Sequence, residues 1–306
     1  MVEPLPHAAS QPPPASGTPP LALVFGGSGQ IGRPLLARLS AAGWTVLAIS
    51  RQPQPGLPGL RWQRGELAAP GVLPARLDAI FSCGPLDGFA QWFARQAPDC
   101  GRVVAFGSTS VGVKHDSADP AERDVAGRLR AAEAQLFTAA AARGVGATVL
   151  RPTLVYGAGR DATLTRIAAL ARRLHGFALP GDARGLRQPV HVDDLADAAF
   201  ACLAAAAATQ GRAYALPGGE TLSYREMVAR VLAALPERPR LWTLPPVLFR
   251  ALLVPARLAG VASGFSDAAL ARMRQDLTFD AAPAQRDLGY APRAFAPDAA
   301  MFTPPA

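Results

Sequence analysis

The stretch Leu21–Ser50, LALVFGGSGQIGRPLLARLSAAGWTVLAIS, limits what this chain can fold into more than any other segment. Leu21–Phe25 is a continuous apolar run, as a strand buried on both faces requires. Gly26, Gly27, Ser28, Gly29, Gln30, Ile31 and Gly32 follow. Helical spacing then links Ile31, Leu35, Leu36 and Leu39, ending near Gly43, and Thr45–Ile49 is a second apolar run. Strand, glycine turn, helix and strand within about thirty residues form the βαβ unit that holds a dinucleotide. The glycines permit the tight turn and a close approach of backbone to pyrophosphate, and the helix N-terminus offers N–H groups and a positive dipole end. Residues Gly26 to Gly32 are therefore the expected pyrophosphate site. The pattern predicts an α/β doubly wound parallel sheet.

The end of the second run bears on cofactor choice. A preference for NAD calls for an acidic residue there to bind the ribose hydroxyls, yet no Asp or Glu lies between Leu21 and Gly65. Ser50 and Arg51 stand in its place. An arginine can pair with a 2′-phosphate through charge-assisted, bidentate contacts. NADP(H) is therefore expected over NAD(H), with Arg51 as the reader and Ser50 as its helper.

Composition narrows the remaining classes. Half of the 306 residues are hydrophobic and 18% are charged, enough material for one large domain or a large and a small one. The formal charge is +8, with Lys114 the sole lysine among 31 basic residues. The arginines are scattered instead of interleaved with aromatics, which argues against nucleic acid as a partner. Cys83, Cys100 and Cys202 have no metal or disulfide spacing, as suits reduced thiols in a cytoplasmic protein. Residues 1–20, rich in Pro, Ala and Ser, read as a disordered arm and lack the pattern of a secretory signal.

The Gly-x-x-Gly-x-x-Gly spacing resembles the glycine motif of the short-chain dehydrogenase/reductase superfamily, above all its extended and atypical branches. Later segments carry the same resemblance. Gly65-Glu66-Leu67, after a strand expected over Leu60–Leu67, is similar to the family's Gly-Asp-Leu beside the adenine, which implies a place for Glu66 there. Ala79–Gly84 fits the fourth strand, whose end, with Cys83 and Gly84, would line the cofactor cleft. After the strand Arg102–Phe106 comes Gly107-Ser108-Thr109-Ser110. In the extended family a hydroxyl here bonds the reacting oxygen, and Thr109 is the best match, with Ser110 adjacent. Arg151-Pro152-Thr153-Leu154-Val155-Tyr156-Gly157-Ala158-Gly159 resembles the segment that borders the nicotinamide, Pro152 included, and opens the substrate cleft. Pro189–Ala196 resembles the Val-His-Val-Asp-Asp-Leu-Ala segment, and Leu288-Gly289-Tyr290-Ala291-Pro292 the closing motif.

One element of the family pattern is missing. The Tyr-x-x-x-Lys pair, set on one helical face by its spacing, would fall on the helix expected over Ala121–Arg143, where Val125 and Leu129 occupy its places. Two explanations follow. Either Thr109 or Ser110 donates to the substrate with positive charge from Lys114, Arg123 or Arg128, or the site binds a dinucleotide without turnover as a structural or redox-sensing protein. Lys114 is expected on a loop, so its spacing from Ser110 does not bring them together. Tyr156 reads as structural. Arg166, Arg172, Arg173, Arg184 and Arg187 fall in the region that faces a diphosphate in nucleotide-sugar enzymes, and read equally as phosphate ligands or as solvated charges.

Two further expectations concern organisation. Residues 21–160 read as the dinucleotide-binding core and 161–306 as mainly a substrate-side subdomain, with segments near 186–216 returning to the core. Asp193 or Asp194 is expected to cap a helix Leu195–Ala207 and not to ligate a metal. The apolar stretch Leu241–Phe265 is broken by Pro245, Pro246, Arg250, Pro255 and Arg257, so no uncharged run in it reaches the roughly 18–20 residues of a transmembrane span. It is expected to pack over the substrate cleft, with weak membrane-surface association as the alternative. The leading expectation is an NADP(H)-dependent oxidoreductase or epimerase/dehydratase-like enzyme. It would transfer hydride at a carbonyl or carbinol of a small polar substrate, nucleotide sugars included. Homodimers, common in the resembling family, are the oligomer the resemblance implies.

Overall fold

The computed structural model describes residues 17–258 and 267–303, without the side chains at 254 and 256–258. Most of the arm expected over residues 1–20 and the end of the Leu241–Phe265 stretch lie outside the described residues. The apolar runs become the strands of a seven-stranded sheet. They are Leu21–Phe25 (β1), Thr45–Ser50 (β2), Leu60–Arg64 (β3), Ala79–Ser82 (β4), Arg102–Phe106 (β5), Gly146–Pro152 (β6) and Arg212–Leu216 (β7). Their order is β7-β6-β5-β4-β1-β2-β3, with every pair parallel. Parallel strands need helical crossovers that cover both faces, and so their side chains are apolar on both sides. Strand order reverses between β1 and β4, where a doubly wound sheet opens its ligand crevice.

Gly32–Ala41 (α1) follows β1, Leu86–Gln96 (α2) follows β4, and the single turn Ser110–Val113 (α3) and the long Pro120–Ala142 (α4) follow β5. Leu164–Leu174 (α5), Val192–Ala204 (α6) and Ala206–Thr209 (α7) come before β7. One face of the sheet is covered by α1 and α6, and the other by α2 and α4. Arg38 ties α1 to α6 by donating to Asp197 at 2.6 Å and to Asp193 at 3.1 Å.

Two local expectations change. The third strand stops at Arg64, short of the expected Leu67, because Glu66 and Ala69 exchange backbone hydrogen bonds of 3.2 and 3.1 Å and close a turn around Leu67. The helix expected to start at Leu195 under an aspartate cap starts at Val192 instead, capped by His191, whose Nδ1 accepts the Asp193 N–H at 3.2 Å. Both aspartates then lie in the first turn, where the helix dipole favours negative charge.

Beyond the strand ends lies a second apolar cluster. It gathers α5, the ribbon of Gly176–Pro180 and Arg240–Leu244, Tyr224–Ala234 (α8), Pro246–Leu258 (α9) and Asp267–Arg272 (α10). Ala282–Leu288 (α11) returns to the main sheet. Ser223 Oγ accepts the Glu226 N–H at 3.1 Å and starts α8 as its Ser-x-x-Glu spacing predicts. The Glu226 carboxylate, however, pairs with Arg230 at 2.8 Å. Among the described residues, no helix is long and apolar enough to cross a membrane.

Candidate active site

The glycine turn is built against the end of β4. Gly26 sits at φ +73°, and a Cβ there would come within 2.9 Å of the Cys83 carbonyl carbon. A Cβ on Gly32 would lie 2.2 Å from the Gly26 carbonyl oxygen, so no other residue type lets α1 start this close to the turn. The turn is closed by the Gly29 N–H on the Gly26 carbonyl at 2.9 Å. Cys83 is held by its own N–H on the Phe25 carbonyl at 2.9 Å, and burial pushes its thiol up to about 12, so it is neutral. Next to it comes Gly84. The buried amide oxygen of Gln30 has no hydrogen-bond partner among the described residues.

Beside the turn is a cleft of about 500 Å³ lined by Ser28, Arg33, Ser50, Arg51 and Arg160. Arg33 and Arg160 each donate to the Ser28 carbonyl, at 3.3 and 3.2 Å. Ser50 Oγ is tied to Gln52, donating to its carbonyl at 2.7 Å. Sequence reasoning found Arg51 and Ser50 and missed Arg33 and Arg160. Their signals are modest: Arg33 directly follows the third glycine, and Arg160 directly follows Gly157-Ala158-Gly159. Glu66 is exposed on its own turn and does not line this cleft. The glycine cradle and the guanidinium groups of Arg33, Arg51 and Arg160 beside it fit the phosphates of a dinucleotide.

At the end of β5 the candidate catalytic residues share one helical turn. Thr109 precedes α3, and both its N–H and its Oγ1 donate to the Pro152 carbonyl, at 3.3 and 3.1 Å. Ser108 Oγ accepts the Ser110 N–H at 3.1 Å. Lys114 lies just past α3, at the start of the connecting segment, with its N–H on the Ser110 carbonyl at 3.0 Å. Its ammonium stands 3.8 Å from Glu122, in the first turn of α4. Glu122 also accepts from Ser117 Oγ at 2.8 Å and pairs with Arg272 of α10. Burial, and then Arg272, lower the Lys114 pKa.

Val125 and Leu129 are half-buried where the Tyr and Lys of the pair would stand. No tyrosine replaces them. Tyr156, Tyr214, Tyr224 and Tyr290 are all buried, and burial raises the pKa of each. Tyr214 donates to Asp287 at 2.8 Å and Tyr290 to the Pro217 carbonyl at 2.7 Å. Tyr156 packs edge-on against His191 and Phe295.

A pocket of about 240 Å³ opens beyond Pro152, walled by Leu154, Ile167, Phe177 and Met273, with Arg187 and Arg272 among its lining. Arg187 is buried and donates to the carbonyls of Leu186, Gln275 and Arg272 at 2.6, 2.8 and 2.6 Å. It also lies over the Tyr224 ring at 5.3 Å. Its hydrogen-bond partners are neutral carbonyls, and burial lowers its pKa, so the pocket wall carries a cation that an anion would stabilise. Arg184 is exposed and stands outside this lining, and Arg172 serves the carbonyls of Ala299 and Phe302.

Residues 128–216 match the model of the NAD dependent epimerase/dehydratase family. The chain is 31% identical over 250 residues to a 2-alkyl-3-oxoalkanoate reductase of Stenotrophomonas maltophilia, covering 70% of this chain and 75% of that one. Among solved structures it is similar to MoeE5 in complex with UDP-glucose and NAD, with a TM-score of 0.66 and 21% identity over 90% of this chain and 94% of that one. It is also similar to WbmF of Bordetella bronchiseptica in complex with NAD+ and UDP, with a TM-score of 0.63 and 18% identity over 93% and 91%. These two likenesses concern the fold.

Proposed function

Because this chain belongs to the NAD-dependent epimerase/dehydratase family of the extended short-chain dehydrogenase/reductase superfamily, and is thus an NAD(P)-dependent oxidoreductase- or epimerase-type enzyme, we propose that it is an NADP(H)-dependent reductase of a small anionic carbonyl compound. The observation that carries the cofactor assignment is the convergence of Arg33, Arg51 and Arg160 on the cleft beside Ser28 and Ser50. A 2′-phosphate there would meet three guanidinium groups and no carboxylate among the lining residues. Gly26 to Gly32 would hold the pyrophosphate, with the Cys83–Gly84 end of β4 and Pro152 flanking the nicotinamide.

When bound, NADPH supplies the hydride to the carbonyl carbon, and the carbonyl oxygen takes up a proton. Thr109 is the proposed donor of that proton. Its hydroxyl would turn from the Pro152 carbonyl to the substrate oxygen, giving up one hydrogen bond worth about 1 kcal/mol. Ser110 and Lys114, on the same helical turn, would form the polar side of the site. The Lys114 ammonium would favour negative charge developing on the oxygen, and solvent would restore the Thr109 proton. A hydroxyl without the usual lysine partner is a weak acid, so modest turnover is expected.

The pocket also bears on substrate. Its apolar walls with Arg187 and Arg272 suit a short alkyl body carrying a carboxylate better than the sugar of a nucleotide sugar. The reductase relative is named for a 2-alkyl-3-oxoalkanoate, an alkyl-bearing keto acid anion. The first test is a fluorescence titration of the purified chain with NADPH and with NADH. Tighter binding of NADPH is expected, and Arg51→Ala should weaken NADPH at least tenfold, the loss of about 1.5 kcal/mol for one charge-assisted contact, while leaving NADH unchanged. Equal losses for both would refute the 2′-phosphate assignment.

A further inference from the structure

The described part of the apolar stretch Leu241–Phe265, which includes α9, is not fully used by the core. Phe249 and Leu253 face inward and pack in the cluster that also contains Phe177 and Met273 of the substrate pocket. At the 3.6-residue helical period, Val247, Leu248, Ala251, Leu252 and Pro255 fall within an arc of about 140°. All five are exposed, Val247 by 81%. Nearby, Trp242 is 46% exposed, and its ring lies over Gly176, two residues after the exposed Leu174. A contiguous outward face of this kind, with no polar side chain, marks an interaction surface.

The segment that carries it has charge of one sign, although Glu237 directly precedes it. From Arg238 to Leu258 the sequence holds four arginines and no acidic residue. Arg238, Arg240 and Arg250 are exposed, and Arg250 stands on the flank of α9 beside the apolar arc. Pro255, inside α9, has no N–H to give the Ala251 carbonyl. An apolar arc, an arginine flank and a half-exposed tryptophan suit the boundary of a bilayer better than its hydrocarbon core or a dry protein interface.

We propose that α9 and Trp242 form a docking surface for an anionic lipid bilayer, on which the protein lies without spanning it. Since Phe249 and Leu253 pack in one cluster with two walls of the pocket, docking would bring that pocket next to the lipid surface. The proposal stands apart from the cofactor assignment and from the identity of the substrate.

Flotation of the full chain with vesicles tests it. The protein should float with equimolar phosphatidylcholine and phosphatidylglycerol and stay in solution with phosphatidylcholine alone. The double substitution Val247→Glu and Leu252→Glu should lower partitioning at least tenfold. Arg240→Gln and Arg250→Gln should each lower it about fivefold, the effect of one basic residue at a charged surface. An unchanged melting temperature and NADPH affinity in each variant exclude misfolding as the cause. Failure to float with anionic vesicles at low salt would overturn the proposal, as would equal flotation of the glutamate variant. Concentration-dependent dimerisation abolished by the same glutamates would also overturn it, by assigning the face to a second copy of the chain.

Discussion

At the scale of single residues, the proposed proton donor is Thr109. Its hydroxyl and its N–H share the Pro152 carbonyl, which orients the side chain at the junction of β5 and β6. Removing the hydroxyl leaves the turn anchored through the backbone. Thr109→Ala is therefore expected to lower turnover roughly a hundredfold, the low end for loss of a positioned proton donor, with NADPH affinity unchanged. Thr109→Ser should keep most of the activity. Wild-type turnover in the alanine variant, read by NADPH oxidation, would clear Thr109 of the role. The sequence located this hydroxyl through its neighbours Gly107 and Ser110. It did not reveal the bond to Pro152, because the partner lies 43 residues away on another strand.

At the scale of elements, α6 depends on a histidine cap. His191 Nδ1 can accept the Asp193 N–H only when unprotonated, and burial, followed by Arg293, lowers its pKa. The sign follows from linkage. Above the unfolded-state pKa of about 6.5 the ring is neutral in both states and the cap is at full strength. As pH falls below that value the unfolded chain takes up a proton that the folded chain resists, and stability drops. Thermal unfolding between pH 7 and pH 5 should show a falling melting temperature, with this group contributing at most about 1.4 kcal/mol per pH unit. His191→Asn keeps a capping acceptor that does not titrate. It should flatten the slope, and an unchanged slope would assign the pH dependence elsewhere. Aspartate is a common N-cap, and so the sequence points to Asp193 and Asp194. The choice of His191 is tertiary: its ring occupies the space left by Gly157, where a Cβ would come within 2.4 Å of Nε2.

At the scale of the whole molecule, Glu122 joins the sheet domain to the elements over the cleft. It receives Lys114 and Ser117 from the segment after α3 and pairs with Arg272, which lines the pocket from α10. The cofactor cleft beside Ser28 draws on none of these residues. Glu122→Gln should therefore raise KM for the carbonyl substrate about tenfold, a loss of ~1.4 kcal/mol in binding. NADPH affinity should stay within about twofold, as expected for sites without shared partners. A matching loss of NADPH affinity in the titration would mean that Glu122 supports the core and does not act through the pocket.

What the sequence by itself determined is the local and periodic part of this protein. The apolar runs specify buried parallel strands, the glycines at 26, 29 and 32 specify the turn into α1, and the absence of a Tyr-x-x-x-Lys pair is visible without coordinates. These follow from short-range sterics and from the fixed periods of helix and strand. Only the tertiary structure decided which distant side chains share a site. Arg33, Arg51 and Arg160 converge because β1, β2 and the segment after β6 all end at the same edge of one sheet. Arg272, which no sequence motif singled out, lines the pocket beside Arg187 from α10. Spacing along a chain encodes which face a residue occupies, whereas the order of strands across the sheet sets what that face meets.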